Sequence, residues 1–363
     1  MTSEAPVDYA SVPAVGILRD YLRIRSVHPN VDYDECLNFL KRQAAEIGLP
    51  VQVFEVVPKK PVLVMSWEGL QPELPSVLLN SHMDVVPVFE KSWKHPPFEA
   101  ELVDGTLYGR GVQDMKSVAI QYLEAVKRLK NKGIRLKRTL HLSFVPDEEV
   151  GGAKGMGEFV KTEHFKRLKV DFALDEGIAC ATDEYQVYNG ERSIWHINVV
   201  CPGKSGHGSL LLPDNCGVKG GIQENIVPEK ITVSFDIRLA LSENVEKFEE
   251  TIKQWCKEAG AGVSYNFSQK DVYVPPTPVD ASNPYWVAFK AAADKLGISL
   301  AARTFPGGTD SRYVRAAGAK ALGFTPVNRT ASALHEHDES LPVEQFLRGI
   351  EIYESILPAV ANA

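Results

Sequence analysis

A short apolar run ends in a histidine and an aspartate that could take part in binding a metal ion. Residues 77–79 favour a buried strand, and His82 and Asp84 follow it two positions apart. Because alternate residues of a strand point to the same side, we expect the two side chains on one face. The imidazole could then bind a divalent metal while the carboxylate accepts a hydrogen bond from the other ring nitrogen. Taken alone, the pair could equally be a loop histidine beside a solvated aspartate.

Two further predicted strands also end in carboxylates. Residues 139–145 alternate and run into Glu148 and Glu149, and residues 170–174 run into Asp175 and Glu176. Adjacent glutamates repel each other unless a cation or a proton intervenes, although this pair could also be a solvated loop or a first helical turn. Since ligands of open α/β sheets bind at the carboxyl ends of strands, three such ends predict one ligand site.

Asp114 and His335 are the remaining candidate ligands. Asp114 follows two closely spaced glycines and precedes a predicted helix, so capping that helix is an alternative role for it. His335 belongs to a late histidine cluster, far along the chain from His82. Such a distribution favours a metal site assembled by folding, whereas a zinc finger would show closely spaced cysteines.

The elements that must position these residues alternate between helices and strands. Amphipathic patterns predict helices over residues 14–24 and 34–47, followed by three strands, an order typical of an α/β domain rather than of a helix bundle. From Ser193 the pattern changes to a small β-rich insert with one clear helix over residues 245–259. A proline-rich stretch at residues 272–278 is a plausible boundary.

Composition narrows the class of protein. A chain of 363 residues can bury a large core and favours two domains. A net charge of −7 argues against a nucleic-acid-binding or membrane-binding protein. Five dispersed cysteines are typical of a reducing compartment, the first residues show no secretory signal, and no apolar run approaches the roughly 18–20 residues of a membrane span. We therefore expect a cytoplasmic protein.

Taken in order, the motifs of the chain resemble those of the M20 family of co-catalytic zinc metallohydrolases, and most of all its aminoacylases. The resemblance covers nearly the whole chain and is carried by SHMDVVP (81–87), GRGVQDMK (109–116), FVPDEEVGG (144–152), ALDEG (173–177) and LHEHDE (334–339). It implies an α/β fold in which a mixed central sheet flanked by helices forms a zinc-peptidase-like catalytic domain, residues 1–192 and 274–363. A small inserted α+β lid domain would span residues 193–273.

The resemblance further implies a site for two zinc ions. His82 would bind one ion, Asp114 would bridge the two, and Glu149 would be a further ligand. Glu176 would complete the ligand set of one ion, and His335 would complete that of the other. The peptide bond after Asp114 would be cis. His335, rather than His337, is the histidine that matches the family ligand.

The same resemblance implies roles for two further carboxylates. Asp84 would orient the ring of His82. Glu148 would be the general base that takes a proton from the metal-activated water and delivers it to the leaving nitrogen.

Substrate-binding residues are also implied by the resemblance. His207, in a glycine-rich turn, is the candidate donor to the developing oxyanion, and a solvated loop residue is its alternative. In the family arrangement this histidine lies on the lid and would reach the site of a partner subunit. Arg238 matches an arginine that pairs with the amino-acid carboxylate, and a solvated charge on a strand is its alternative. Asn225, Gly308 and Thr309 match other positions that touch substrate.

The inserted domain departs from the family pattern. Residues 210–219 leave too little chain for the helix and strand expected there, and only one lid helix can be found. We therefore expect a shortened lid in which the strands have lost a covering helix. We also expect the family homodimer to be weakened or lost, leaving a monomer or a weak dimer.

The implied activity is that of a dizinc amidohydrolase of amino-acid metabolism, which cleaves N-acyl-L-amino acids to a free L-amino acid and a carboxylate. An M20 dipeptidase or carboxypeptidase is the alternative within the family. A catalytically impaired metal-binding protein is the alternative outside it, favoured by the shortened lid and disfavoured by the intact Glu148. A serine hydrolase is disfavoured because no G-x-S-x-G motif is present.

Overall fold

Helices and strands follow each other in an α/β order in the computed structural model, which describes residues 8–207 and 226–363. The α-helices of these ranges are α1 (Pro13–Arg23), α2 (Asp34–Ile47), α3 (Lys116–Asn131), α4 (Met156–Phe159), α5 (Glu163–Leu168), α6 (Val245–Ala259), α7 (Pro284–Lys295), α8 (Ser311–Ala316) and α9 (Val343–Ala361). The strands are β1 (Val51–Val57), β2 (Lys60–Trp67), β3 (Ser76–His82), β4 (Glu101–Val103), β5 (Thr106–Tyr108), β6 (Leu140–Val145), β7 (Val170–Asp175), β8 (Tyr185–Glu191), β9 (Ser193–Pro202), β10 (Gly206–His207), β11 (Ile226–Val227), β12 (Lys230–Leu239), β13 (Ser264–Lys270), β14 (Leu300–Phe305), β15 (Lys320–Gly323) and β16 (Ser340–Pro342).

One mixed sheet organises the larger part of the chain. Its strand order is β1-β2-β6-β3-β7-β15-β8-β14. The four central strands β6, β3, β7 and β15 are parallel, whereas β2 pairs with β6 and β8 pairs with β15 in antiparallel fashion. The predicted mixed sheet of an α/β protein is therefore confirmed.

Helices bury both faces of this sheet, which explains why its central strand is a continuous apolar run. Val77 and Leu79 of β3 belong to the core that includes residues of α1, α2, α3, α7 and α9. Leu78, which points to the other face, belongs to a second core with residues of α4, α5 and α8. Every residue of β3 is buried, as expected for a parallel strand covered on both sides.

Two strands at the far edge of the sheet were not predicted from the sequence. β8 and β14 lie beyond β15, and β14 is the strand at this edge of the sheet. Along β14, three consecutive residues are exposed and only two are buried, so its sequence shows no apolar run. The apolar pattern of a strand depends on burial, and an edge strand lacks that signal.

The chain divides into two compact units. The larger consists of Met1–Gly190, Pro276–Phe305 and Thr309–Ala363, and the smaller consists of Glu191–Pro275 with Pro306–Gly308. In the smaller unit β9 lies between β12 and β13, and both pairings are antiparallel. Its α-helix within the described residues is α6, which packs against β13. The core of this unit comprises Trp195, Ile197, Leu239, Ile252 and Cys256.

The smaller unit exposes part of its apolar face. Val233 and Phe235 of β12 are 43% and 48% exposed, and Trp255 of α6 is 56% exposed. They line an open cavity of about 290 Å³ whose walls are apolar side chains of β9, β12 and α6. Such a face is what a missing covering helix would leave, although residues 210–219, on which that prediction rests, lie outside the described residues.

None of the helices that the structure describes is long and apolar enough to cross a membrane.

Candidate metal centre

The carboxyl ends of three parallel strands meet at one edge of the sheet. His82, the last residue of β3, is level with Val145, the last residue of β6, and the preceding part of β3 pairs with β7. Glu148 follows β6 by three residues in a short 3₁₀ turn, and Glu176 follows β7 directly. The predicted convergence of these strand ends is confirmed, and it brings an imidazole and several carboxylates together.

Three buried side chains form a first group of candidate ligands. His82 Nε2 lies 2.9 Å from Asp114 Oδ1 and 3.8 Å from Glu176 Oε2. One nitrogen or oxygen atom from each residue lies within 4.8 Å of the others. The side chains are almost entirely shielded from solvent, so their charges interact strongly.

A second group shares Asp114 with the first. His335 Nε2 lies 3.3 Å from Asp114 Oδ2 and 3.0 Å from Glu149 Oε2. The side chain of His335 is 55% exposed, so this group opens to solvent, whereas the first does not. Asp114 therefore directs one carboxylate oxygen to each group, as a carboxylate that bridges two cations does.

Capping of α3 is not the role of Asp114 in this structure. Met115 occupies the N-cap position, and no side chain caps the helix. The Asp114–Met115 peptide bond is cis, as the resemblance implied.

Asp84 has different partners from those predicted. Nδ1 of His82 lies 2.9 Å from the backbone carbonyl oxygen of Asp84, whereas the nearest carboxylate oxygen is 3.9 Å away. The predicted hydrogen bond from the ring to the carboxylate is therefore wrong, because the strand ends at His82 and the alternation of faces ends with it. Since a carbonyl can only accept, it keeps the hydrogen on Nδ1 and directs Nε2 towards Asp114.

The carboxylate of Asp84 instead holds the turn that carries the two glutamates. It accepts the backbone N–H groups of Glu148 (3.3 Å) and Glu149 (3.0 Å) and lies 2.8 Å from His28 Nε2. Asp84 is fully buried. His28 was not identified from the sequence, because nothing in its neighbourhood indicates a partner 56 residues away.

A second set of contacts holds the residue that precedes Glu148 in the same turn. Asp147 has a left-handed backbone with φ of +64°, uncommon for a residue other than glycine. Tyr33 Oη donates to its carboxylate (2.8 Å) and accepts from its backbone N–H (3.0 Å), and Lys60 Nζ lies 2.7 Å from the same carboxylate. Neither Tyr33 nor Lys60 was identified from the sequence.

Burial and mutual repulsion dominate the electrostatics of the carboxylates. Burial raises the pKa of Glu148, and the charge of Glu176 raises it further. Burial and the charge of Asp114 likewise raise the pKa of Glu149 and of Glu176. For Asp114, burial alone would raise the pKa, but hydrogen bonds with His335 and His82 outweigh it and lower the pKa.

The two histidines compensate part of this charge. Hydrogen bonds to Asp114 and Glu149 raise the pKa of His335 to about 10. Burial tends to lower the pKa of His82, but its hydrogen bonds with Asp114 and Glu176 prevail and raise it. The site therefore attracts positive charge to a cluster of buried carboxylates.

This donor set fits divalent cations. Imidazole nitrogens and carboxylate oxygens are ligands that zinc and similar metals accept in hydrolytic sites. A doubly charged ion in each group would offset the repulsion that raises the pKa of the glutamates. The arrangement can thus polarise a carbonyl group and supply a general base next to it.

The other predicted site residues are placed as follows. Arg238 lies on β12, where its guanidinium makes two hydrogen bonds to Asp236 two residues away, at 2.7 and 3.0 Å. Thr309 is buried, and Gly308 belongs to the smaller unit. The backbone of His207 forms β10, paired with β11. Asn225 lies outside the described residues.

The loop after β14 contains a further carboxylate that the sequence analysis did not single out. Asp310 is fully buried, and neither of its carboxylate oxygens has a hydrogen-bond partner among the described residues. It packs so closely on Gly152 that a Cβ there would lie 2.2 Å from Asp310 Oδ1. Burial and the charge of Asp175 raise the pKa of Asp310.

Comparison with known proteins relates the chain to one enzyme family. The sequence pattern of peptidase family M20/M25/M40 matches residues 78–359. Aminoacylase-1 of Mus musculus is 45% identical over 390 aligned residues, which cover 96% of each chain. Aminoacylase-1 of Homo sapiens is 43% identical over 402 aligned residues, which cover 100% of this chain and 98% of the relative. An M20 family metallo-carboxypeptidase of Sulfolobus solfataricus has a similar structure, with a TM-score of 0.79 and 18% identity, covering 96% of this chain and 99% of that one.

Proposed function

The chain belongs to peptidase family M20/M25/M40 and is a metal-dependent hydrolase of amide bonds, and from that premise we propose that it cleaves N-acyl-L-amino acids with two zinc ions. The products would be a free L-amino acid and a carboxylate. The observation that carries the proposal is the position of Asp114, whose two oxygens face two separate groups of ligands. Identity of 43–45% to two aminoacylases supports the choice of substrate.

Some residues of the larger unit would bind cations during hydrolysis, and another would transfer a proton. His82, Asp114 and Glu176 would hold one ion, and Asp114, Glu149 and His335 the other. Two divalent cations supply Lewis acidity, which polarises the amide carbonyl and acidifies a water molecule.

Glu148 would act as general base and then as general acid. Its burial and its neighbour Glu176 raise its pKa, which allows the carboxylate to hold a proton between accepting it from water and giving it to the leaving nitrogen. The backbone of Glu148 is fixed by its hydrogen bond to Asp84. The backbone that carries the proposed base is therefore fixed before substrate arrives.

The proposed substrate contacts lie outside this cluster. We assign the carboxylate of the amino acid to Arg238, whose planar guanidinium would exchange Asp236 for the substrate. We assign His207 to the developing oxyanion, and Asn225, Gly308 and Thr309 to further substrate contacts. The family resemblance supports these assignments.

A metal-binding protein without efficient hydrolysis is the second candidate. The alignment with the human relative spans 402 residues while this chain has 363, so roughly forty positions of the relative have no counterpart here. The exposed apolar face of the smaller unit agrees with a shortened insert. If the insert completes the substrate site, its loss would spare the cations and impair catalysis.

The two candidates are separated by measuring zinc content and hydrolysis of N-acetyl-L-methionine together. We expect wild type to bind two zinc ions and to lose activity with a chelator, and Glu148→Gln to keep both ions while its kcat falls about 10²- to 10⁴-fold. Glu158→Gln, which changes an exposed carboxylate paired with Lys161, is the control and should change neither.

Other outcomes select the alternatives. A wild-type protein that binds two ions and hydrolyses neither N-acyl amino acids nor dipeptides favours the metal-binding protein. Faster cleavage of dipeptides than of N-acetyl-L-methionine favours the dipeptidase.

A further inference from the structure

Glu339 joins the loop that carries Asp114 to the loop that carries His335. Its carboxylate is fully buried. Oε2 accepts from Arg110 Nη1 (2.8 Å) and from the backbone N–H of Gly111 (2.9 Å), and Oε1 accepts from the backbone N–H groups of Gln113 (2.6 Å) and Asp114 (3.2 Å). One side chain thus accepts three backbone N–H groups within residues 111–114, the segment that ends at the proposed bridging ligand.

The contact is reciprocal. The side chain of Gln113 donates to the carbonyl oxygens of Ala331 (3.1 Å) and Ser340 (2.7 Å) and accepts from the N–H of Ala333 (3.0 Å). The carbonyl oxygen of Glu339 also accepts from the N–H of Gly109 (3.0 Å). We call this pair of loops, residues 109–114 and 331–340, the clasp.

The clasp contributes more to positioning one group of ligands than to positioning the other. His82 ends β3 and Glu176 follows β7, so the central sheet positions both of them. His335 lies on a half-exposed loop with a left-handed φ of +64°, and no strand or helix of the described chain contains it. The distance between His335 and Asp114 therefore depends on the clasp far more than the distance between His82 and Glu176 does.

We propose that Glu339 is a positioning residue that sets the affinity of the metal position formed by Asp114, Glu149 and His335. The inference rests on the proposed two-metal function. Without the carboxylate, three buried N–H groups lose their acceptor, and the loops move apart until water or other groups satisfy them. Residues that hold metal ligands in place typically change metal affinity by about 10- to 100-fold.

Two variants of the full chain test the proposal. Glu339→Gln keeps the shape of the side chain but turns an amide N–H₂ towards donors. Because it also leaves the buried Arg110 without its counter-ion, Gln113→Leu serves as a second variant, which breaks the clasp and retains the ion pair. Thr277→Val is the control, since it removes buried hydrogen bonds to Ala321 that are not part of the clasp.

The measurement is zinc titration against a chromophoric chelator, with circular dichroism to verify folding. We expect wild type to bind two ions. In Glu339→Gln and Gln113→Leu the affinity for one ion should fall about 10- to 100-fold, while the affinity for the other is unchanged. Activity of both variants should recover in excess zinc. Thr277→Val should leave both affinities unchanged.

The result that would overturn this inference differs from the one that would overturn the proposed function. Suppose that wild type binds two ions. If both folded variants then bind them with wild-type affinity, or bind both of them more weakly by the same factor, Glu339 has no positioning role. If wild type binds fewer than two ions, the proposed metal site fails and the inference fails with it.

Discussion

Asp84 is a single carboxylate that organises three separate segments of the chain. Its carboxylate accepts hydrogen bonds from the backbone N–H groups of Glu148 and Glu149 and pairs with His28. Its backbone carbonyl oxygen orients the ring of His82. A buried carboxylate is costly unless every lone pair finds a donor, so removing one donor affects the others. The position of the proposed general base therefore depends on a histidine that does not belong to the cluster of ligands.

Replacing His28 by leucine tests this dependence. We expect kcat for an N-acyl amino acid to fall about 10- to 100-fold with little change in KM, because the turn that carries Glu148 loosens. His28→Gln, which keeps an N–H donor, should recover part of the loss. His164→Leu is the control, since His164 packs on Phe54 away from this turn. An unchanged kcat for His28→Leu would show that Asp84 holds the turn without His28.

At the scale of elements, part of one sheet face is exposed among the described residues of the smaller unit. Side chains alternate along β12, so Val233 and Phe235 share the apolar face and Ser234 points to the other. β12 is also one of the two edge strands of its sheet among the described strands. Exposed apolar faces and open edges favour weak self-association.

We therefore expect a monomer or a weak dimer, with a dissociation constant in the micromolar range or above. Phe235→Thr should weaken self-association further, and Ser234→Ala should leave it unchanged. Sedimentation equilibrium or light scattering over a concentration series gives the measurement. A tight dimer at nanomolar concentration would contradict the prediction.

Elements with local end signals were predictable from the sequence, and elements defined by tertiary packing were not. The bounds of α2 and α6 match their predictions because Gly48 ends one in a left-handed conformation and the side chain of Asn244 caps the other. The cluster of ligands was predictable because strand order and family motifs converge on it. The role of Glu339 was not, because its donors lie more than 220 residues away.

At the scale of the whole molecule, the candidate ligands link the two parts of the larger unit that the insert separates in sequence. His82, Asp114, Glu149 and Glu176 precede the smaller unit in the chain, and His335 follows it. An ion bound by Asp114, Glu149 and His335 would thus close a loop of the chain that contains the entire insert. None of the ligand groups found among the described residues includes a residue of the smaller unit.

Removal of metal should therefore destabilise the larger unit selectively. A ligand present at a thousand times its dissociation constant stabilises the native state by about 4 kcal/mol, and chelation removes that contribution. We expect chelator to lower hydrogen-exchange protection of β3, β7 and the loop around His335, while β9 and α6 keep theirs. Chelator already saturated with zinc is the control. Equal loss of protection in both units would mean that the ions stabilise the chain without being confined to the cluster around Asp114.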